Sequence, residues 1–311
     1  MSKVKETIKI ILVVAVLAVG VFFGVNYLLH PQNESATTTP TTTKKTTAKK
    51  TPHKAKINLV AVGDSLTEGV GDESEGGYVG QIKKTLTTKQ KLKVTTTNAG
   101  KPGDRSDQIL ARINKSKVLQ QKIAKADVIT VTVGGNDLLQ TLEGSLTSNN
   151  TAKNNATVAK AQTLYANKLT KLFNKLQSLN GTASVFVFSI YNPIYVNFPN
   201  VTSITHYISQ WNDQTQTTVS QYKHTYFMDI NWTMSHGQYK TAAQIRKLKK
   251  AASATSLTSS KAITGALEAE NKTNDLISTA DNFHPNKRGY RVFTTKLYQT
   301  MMAHDAWLIK K

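Results

Sequence analysis

Cysteine is absent from the sequence. That excludes disulfide staples, thiolate nucleophiles and cysteine-ligated metal sites, and an exported form would have to fold without disulfide bonds. Acidic residues are scarce, with 19 Asp and Glu against 40 Lys and Arg. Nine of the lysines precede Ile57, accompanied only by Glu6 and Glu34, so the remainder of the chain is basic in its own right. A positive field of this kind favours anionic surroundings such as nucleic acid, anionic lipid or acidic cell-wall polymer, and it also serves solubility alone. There is no Gly-x-x-x-x-Gly-Lys loop to cradle a nucleotide phosphate, which argues against phosphoryl transfer. No internal repeat is visible in the 311 residues, a length that suits one large domain or two small ones.

What is present begins with a targeting pattern. Lys3, Lys5 and Lys9 precede an apolar run of 20 residues, Ile10 to Leu29, interrupted only by Asn26 and small side chains. About 20 apolar residues match the thickness of a bilayer core, and positive charge ahead of the span keeps the N-terminus inside. The stretch after it offers no small-x-small cleavage site. Residues 1–30 therefore read as a cytoplasmic tip and an uncleaved transmembrane signal anchor, with a cleaved signal peptide and a secreted product as the alternative. Residues 31–56, rich in Thr, Pro and Lys, have almost no large apolar side chains to offset the entropy of ordering. They read as an extended basic linker, with contact to anionic wall polymer or lipid head groups as a second role.

From Ile57 to residue 311 the pattern is that of a folded α/β domain. Short apolar or β-branched runs at Ile57–Val62, Lys93–Thr97, Asp127–Val133, Ser184–Ile190 and Thr225–Ile230 alternate with stretches of helical periodicity, such as Tyr78–Thr87, Ser106–Ile123 and Ala161–Leu179. Five such runs predict a parallel sheet covered on both faces. The polar, Asn-rich segment Leu142–Val158 reads as an exposed loop, and Asn231–Ala280 as a long insertion carrying a basic helix, Ala242–Ala252.

The chemistry gathers where strands end. Ser65 follows the first run directly, in Gly63-Asp64-Ser65-Leu66, where a strand gives way to a helix and ligand sites collect in open α/β sheets. A serine hydroxyl needs a base to become nucleophilic, and histidine suits that task near neutral pH. Of seven histidines, His284 has a distinctive setting, three residues after Asp281, close enough for the carboxylate to fix the imidazole tautomer. The other six read as structural or solvated. Acyl transfer also needs donors for an oxyanion. Gly103, with Gly100 as a second candidate, and Asn136 in Gly134-Gly135-Asn136-Asp137 lie in turns after the second and third runs. Each string alone is equally at home in an ordinary strand-to-helix turn.

These four blocks together, in this order, resemble those of the SGNH hydrolases, also called the GDSL esterase/lipase family. The resemblance covers Ile57 to the C-terminus in outline. Together with the anchor and linker, it extends to the membrane-anchored, lysophospholipase-like proteins of Gram-positive bacteria. It implies a three-layer α/β/α sandwich with a five-stranded parallel sheet, flavodoxin-like in outline. It also implies a Ser65–His284–Asp281 triad and an oxyanion hole formed by the Ser65 and Gly103 N–H groups and the Asn136 amide. The implied activity is hydrolysis of carboxylic esters (lysophospholipid, short acyl ester or O-acetylated glycan) with no metal or organic cofactor; the anchor places the domain outside the cell membrane, which argues against a nucleic-acid partner. The reading from another class is a non-catalytic, surface-tethered protein that binds anionic wall polymer through its basic face.

Overall fold

A computed structural model describes residues 52–145, 151–252 and 274–310. The anchor and most of the linker expected from the sequence, residues 1–51, lie outside the described residues, as does much of the insertion before Asp281.

Five strands form one parallel sheet. They are β1 (Lys56–Gly63), β2 (Lys93–Gly100), β3 (Val128–Val131), β4 (Ser184–Phe188) and β5 (Thr225–Met228), in the order β2-β1-β3-β4-β5. This is the flavodoxin-like order, whose direction of winding reverses between β1 and β3. The helices in chain order are α1 (Ser65–Glu68), α2 (Gly77–Gln90), α3 (Ser106–Lys115), α4 (Lys117–Ala124), α5 (Gly135–Ser145) and α6 (Thr151–Leu179). After β4 come α7 (Thr202–Val219), α8 (Asn231–His236), α9 (Ala242–Ala251) and α10 (Lys287–Ala303).

Strand side chains alternate between faces, and in the inner strands β1, β3 and β4 both faces are buried and almost wholly apolar, whereas the edge strand β2 is half-exposed and rich in Thr. On one face Val60, Val62, Ile129, Val131, Val185 and Val187 pack with Ile109 and Ile113 of α3, Leu169, Leu172 and Phe173 of α6, and Trp211 of α7. On the other, Leu59, Ala61, Val128, Phe186 and Phe188 meet Tyr78 and Ile82 of α2 and Phe293 and Leu297 of α10. The Phe188 ring lies against both Tyr78 and Phe293, at 5.0 and 4.9 Å between centroids.

Two expectations change. The stretch 106–123 is two helices rather than one, because Ser116 leaves helical geometry and caps α4 by accepting the Leu119 N–H. The segment Leu142–Val158 is largely helical rather than an exposed loop: α5 runs to Ser145 and α6 starts at Thr151. Its Asn and Thr residues are weak helix formers, but tertiary contacts override that preference. Leu142 and Val158 are buried in the core, and Asn155 accepts a 2.6 Å hydrogen bond from the Tyr207 hydroxyl.

The two ends of the folded unit meet. His53 bridges Ile309, Lys54 donates to the Leu308 carbonyl and Lys310 donates to that of Pro52. This junction precedes β1, at the amino ends of the strands.

Candidate active site

β1 ends at Gly63, where a Cβ would come within 2.5 Å of the Thr67 and Thr132 hydroxyl oxygens. Only glycine lets the chain turn this closely over β3. Asp64 then caps α1, its carboxylate accepting from the Leu66 N–H at 3.0 Å and the Thr132 hydroxyl at 2.8 Å. Burial pushes the Asp64 carboxyl up from its ordinary value, against these hydrogen bonds and the nearby His284. Below it lies a chain of buried hydroxyls, Thr132–Thr67–Tyr78–Thr130, with links of 2.8 to 3.0 Å. Ser65 opens α1 and is 6% exposed, so its N–H has no acceptor within the helix.

His284 arrives from the loop before α10. Asp281 grips that loop at three points, accepting the N–H groups of Phe283 and His284 at 3.0 Å and meeting His284 Nδ1 at 2.5 Å. The turn that makes Asp-x-x-His a usable spacing is thus built by the carboxylate itself. His284 Nε2 lies 2.8 Å from Ser65 Oγ. The loop is fastened elsewhere: Tyr191 donates to the Phe283 carbonyl, while Asn286 caps α10 and donates to the carbonyls of Asp275 and Ile277. Burial opposes the charge on Asp281, but the hydrogen bonds from the His284 ring and the two backbone N–H groups outweigh it and hold the carboxyl below its ordinary value.

Both turns expected to supply oxyanion donors flank this point. Asn136, in the first turn of α5, stands on the wall of a pocket over Ser65, and one hydrogen of its amide goes to the Asp104 carbonyl at 3.0 Å. The second hydrogen of that amide remains for a ligand. Gly103 precedes Asp104 in left-handed backbone (φ 79°), with open space around its α-carbon. Its rival Gly100 is committed otherwise. The Gly100 N–H donates to Asn98 Oδ1, and a Cβ there would collide with the Glu68 backbone, so Gly100 serves the packing of α1 on β2.

Three further groups hold this arrangement, and sequence reasoning missed them. Arg112 of α3 donates from Nε to Asp104 Oδ2 at 2.9 Å, from Nη1 to the Ala99 carbonyl at 2.7 Å and from Nη2 to the Gly63 carbonyl at 3.0 Å. One guanidinium therefore joins the ends of β1 and β2 to the Gly103–Asp104 turn. Its signal in the sequence is a charge set on the apolar stripe of a helix, between Ile109 and Ile113. Asp137 accepts from both the N–H and the hydroxyl of Ser106, at 2.9 and 2.6 Å, and so pins the start of α3 to α5. Burial raises the Asp137 carboxyl above its ordinary value. Tyr191, the third, walls the pocket as well as holding the Phe283 carbonyl.

The pocket over Ser65 has a volume of about 40 Å³, with Leu66, Asn136, Ile190, Tyr191, Pro193 and Phe283 among its walls. Among the described residues, no group of three or more His, Asp and Glu side chains is set to hold a metal ion.

A hydroxyl, an imidazole and a carboxylate in line, beside amide donors at the carboxyl ends of a parallel sheet, are the arrangement of serine hydrolases. The family model of the GDSL-like lipases and acylhydrolases matches residues 61–292, and the chain belongs to that family of carboxylic ester hydrolases. Among its relatives is YpmR of Bacillus subtilis (strain 168), described as an uncharacterized protein, 28% identical over 252 residues that make up 81% of this chain and 84% of YpmR. The spore germination lipase LipC of Bacillus licheniformis is 41% identical over 88 residues, 28% of this chain and 41% of LipC. The crystal structure of the lipase Lip_vut3 from a goat rumen metagenome shares the fold, with a TM-score of 0.58 at 24% identity, covering 78% of this chain and 96% of that one.

Two measurements test how the site is held. Arg112→Met leaves the buried Asp104 carboxylate without its partner and is expected to lower the unfolding free energy by about 3 kcal/mol or more in urea titrations. A loss under about 1 kcal/mol would show that the clamp adds little. Because the Asp281 carboxyl lies below its ordinary value, its stabilisation is fully present above the unfolded value of 3.8 and is lost as pH falls through the lowered folded value. The stability advantage of wild type over Asp281→Asn should therefore be constant near neutrality and shrink in acid. An advantage that grows on acidification would contradict this.

Proposed function

We propose that this esterase works through a triad of Ser65, His284 and Asp281. The observation that carries the reading is the continuous link from Asp281 Oδ2 through the His284 ring to Ser65 Oγ, at 2.5 and 2.8 Å. With its proton on Nδ1, His284 donates to Asp281 and leaves Nε2 to take the hydroxyl proton as Ser65 attacks the ester carbonyl. The oxyanion is held by the N–H groups of Ser65 and Gly103 and by the Asn136 amide. His284 then returns the proton to the leaving alcohol, and water activated by the same ring releases the acid from the acyl-serine.

The substrate is an acyl ester, of a lipid or an acylated glycan. The similarity to LipC, though it spans a short stretch, supports an ester of a lipid. We place the domain at the outer face of the cell membrane, held by residues 1–30, with the basic linker against anionic lipid or wall polymer. The lysines ahead of the Ile10–Leu29 run and its length support this orientation.

Ser65→Ala is expected to lower kcat on p-nitrophenyl butyrate by about four to six orders of magnitude, and Asn136→Ala by about two to three. Unchanged circular dichroism serves as the control for folding. An active Ser65→Ala protein would remove Ser65 as the nucleophile. Protease added to intact protoplasts should digest the domain of the full-length protein. Protection until the membrane is broken would place it on the inner side.

A further inference from the structure

The pocket over Ser65 does not end at the serine. It shares Gly135, Ile190, Tyr191, Pro193 and Phe283 with a second space of about 70 Å³ that runs between α5 and α7. The far walls of that space are Leu138 and Leu142 from α5 and Ile204 and Ile208 from α7. Its polar side chains, Tyr191 and Asn192, are both buried, and the Tyr191 hydroxyl is spent on the Phe283 carbonyl. The Asn192 amide donates to Thr205 and its carbonyl oxygen accepts the Ile194 N–H. The rest of the side-chain wall is aliphatic or aromatic, and it rests on two helices packed into the core.

We infer that this slot takes the acyl chain of the substrate, and that the enzyme selects linear, medium-length acyl groups over acetyl. The inference rests on the proposed triad, because the slot is read outward from Ser65. A carbonyl seated between Ser65 and Asn136 sends its alkyl tail along the shared Ile190–Tyr191 wall into the aliphatic space. The alcohol portion then leaves by the open side of the first pocket. An acetyl group fills only the first pocket and leaves the slot without an apolar occupant. A longer chain moves its methylenes from water onto leucine and isoleucine, a gain of about fourfold in kcat/KM per methylene while room remains. Leu142 and Ile208 set where the chain must stop, and thus act as specificity-determining residues.

The test uses the full-length protein and p-nitrophenyl acetate, butyrate, hexanoate, octanoate and decanoate. Wild type is expected to gain kcat/KM with chain length through at least hexanoate. Ile208→Trp shortens the slot, and its octanoate-to-acetate ratio of kcat/KM should fall at least tenfold. Ile208→Ala deepens it, and its decanoate-to-octanoate ratio should rise. If the tryptophan variant does not fold, the alanine variant decides. A wild type that prefers acetate, or ratios unchanged within twofold in the folded variants, would overturn the slot. Ser65→Ala assayed on acetate separates the two readings. Residual activity in that variant refutes the triad, whereas an inactive variant combined with a flat chain-length profile refutes the slot alone.

Discussion

The parallel pairing of β1 between β2 and β3 is the constraint on which the site depends. It brings Gly63 level with Gly100 and leaves Val62 beside Val131, so three chain turns emerge within one small area. Those turns then need fixing, because each departs from the regular hydrogen bonding of the sheet. Arg112 supplies part of this by satisfying the carbonyls of Gly63 and Ala99 just where the ladder runs out. Asp137 supplies another part by drawing the start of α3 onto α5. The geometry around Ser65 is thus set in part by side chains that hold backbone rather than line the pocket.

The electrostatics follow the same division. Asp64 and Asp137 are buried carboxylates whose hydrogen bonds do not fully offset their loss of water, and both lie above their ordinary values. Asp281, at the rim, keeps access to solvent and gains three hydrogen bonds from one loop, so it lies below its own. The interior carboxylates hold backbone in unfavourable surroundings. The outer one is placed where water still reaches it and where it meets the His284 ring.

Much of this was legible in the sequence, for a physical reason. Strands buried on both faces must be apolar, and the five runs from Ile57 to Ile230 stand out against basic, polar helices. Ser65 and Asn136 were visible because they follow those runs in turns rich in Gly and Asn, and Asp281 and His284 because of their three-residue spacing. The preference for Gly103 over Gly100 came with the family resemblance, while its physical ground lay in the fold, where Asn98 already occupies the Gly100 N–H. Arg112 was hidden because its three acceptors are separated from it in sequence by 8 to 49 residues. The helical start of α6 was hidden because its weak propensities are overridden by partners such as Tyr207, far along the chain.

The junction of Pro52–Lys54 with Leu308–Lys310 gives the folded unit a polarity. These two segments meet at the amino ends of the strands, while the crevice opens at the carboxyl ends, a strand length of about 26 Å away along β1. Pro52 lies at this base, on the pole away from the crevice. The same geometry makes this pole the natural handle for fixing the enzyme to a solid support with its crevice directed into solution.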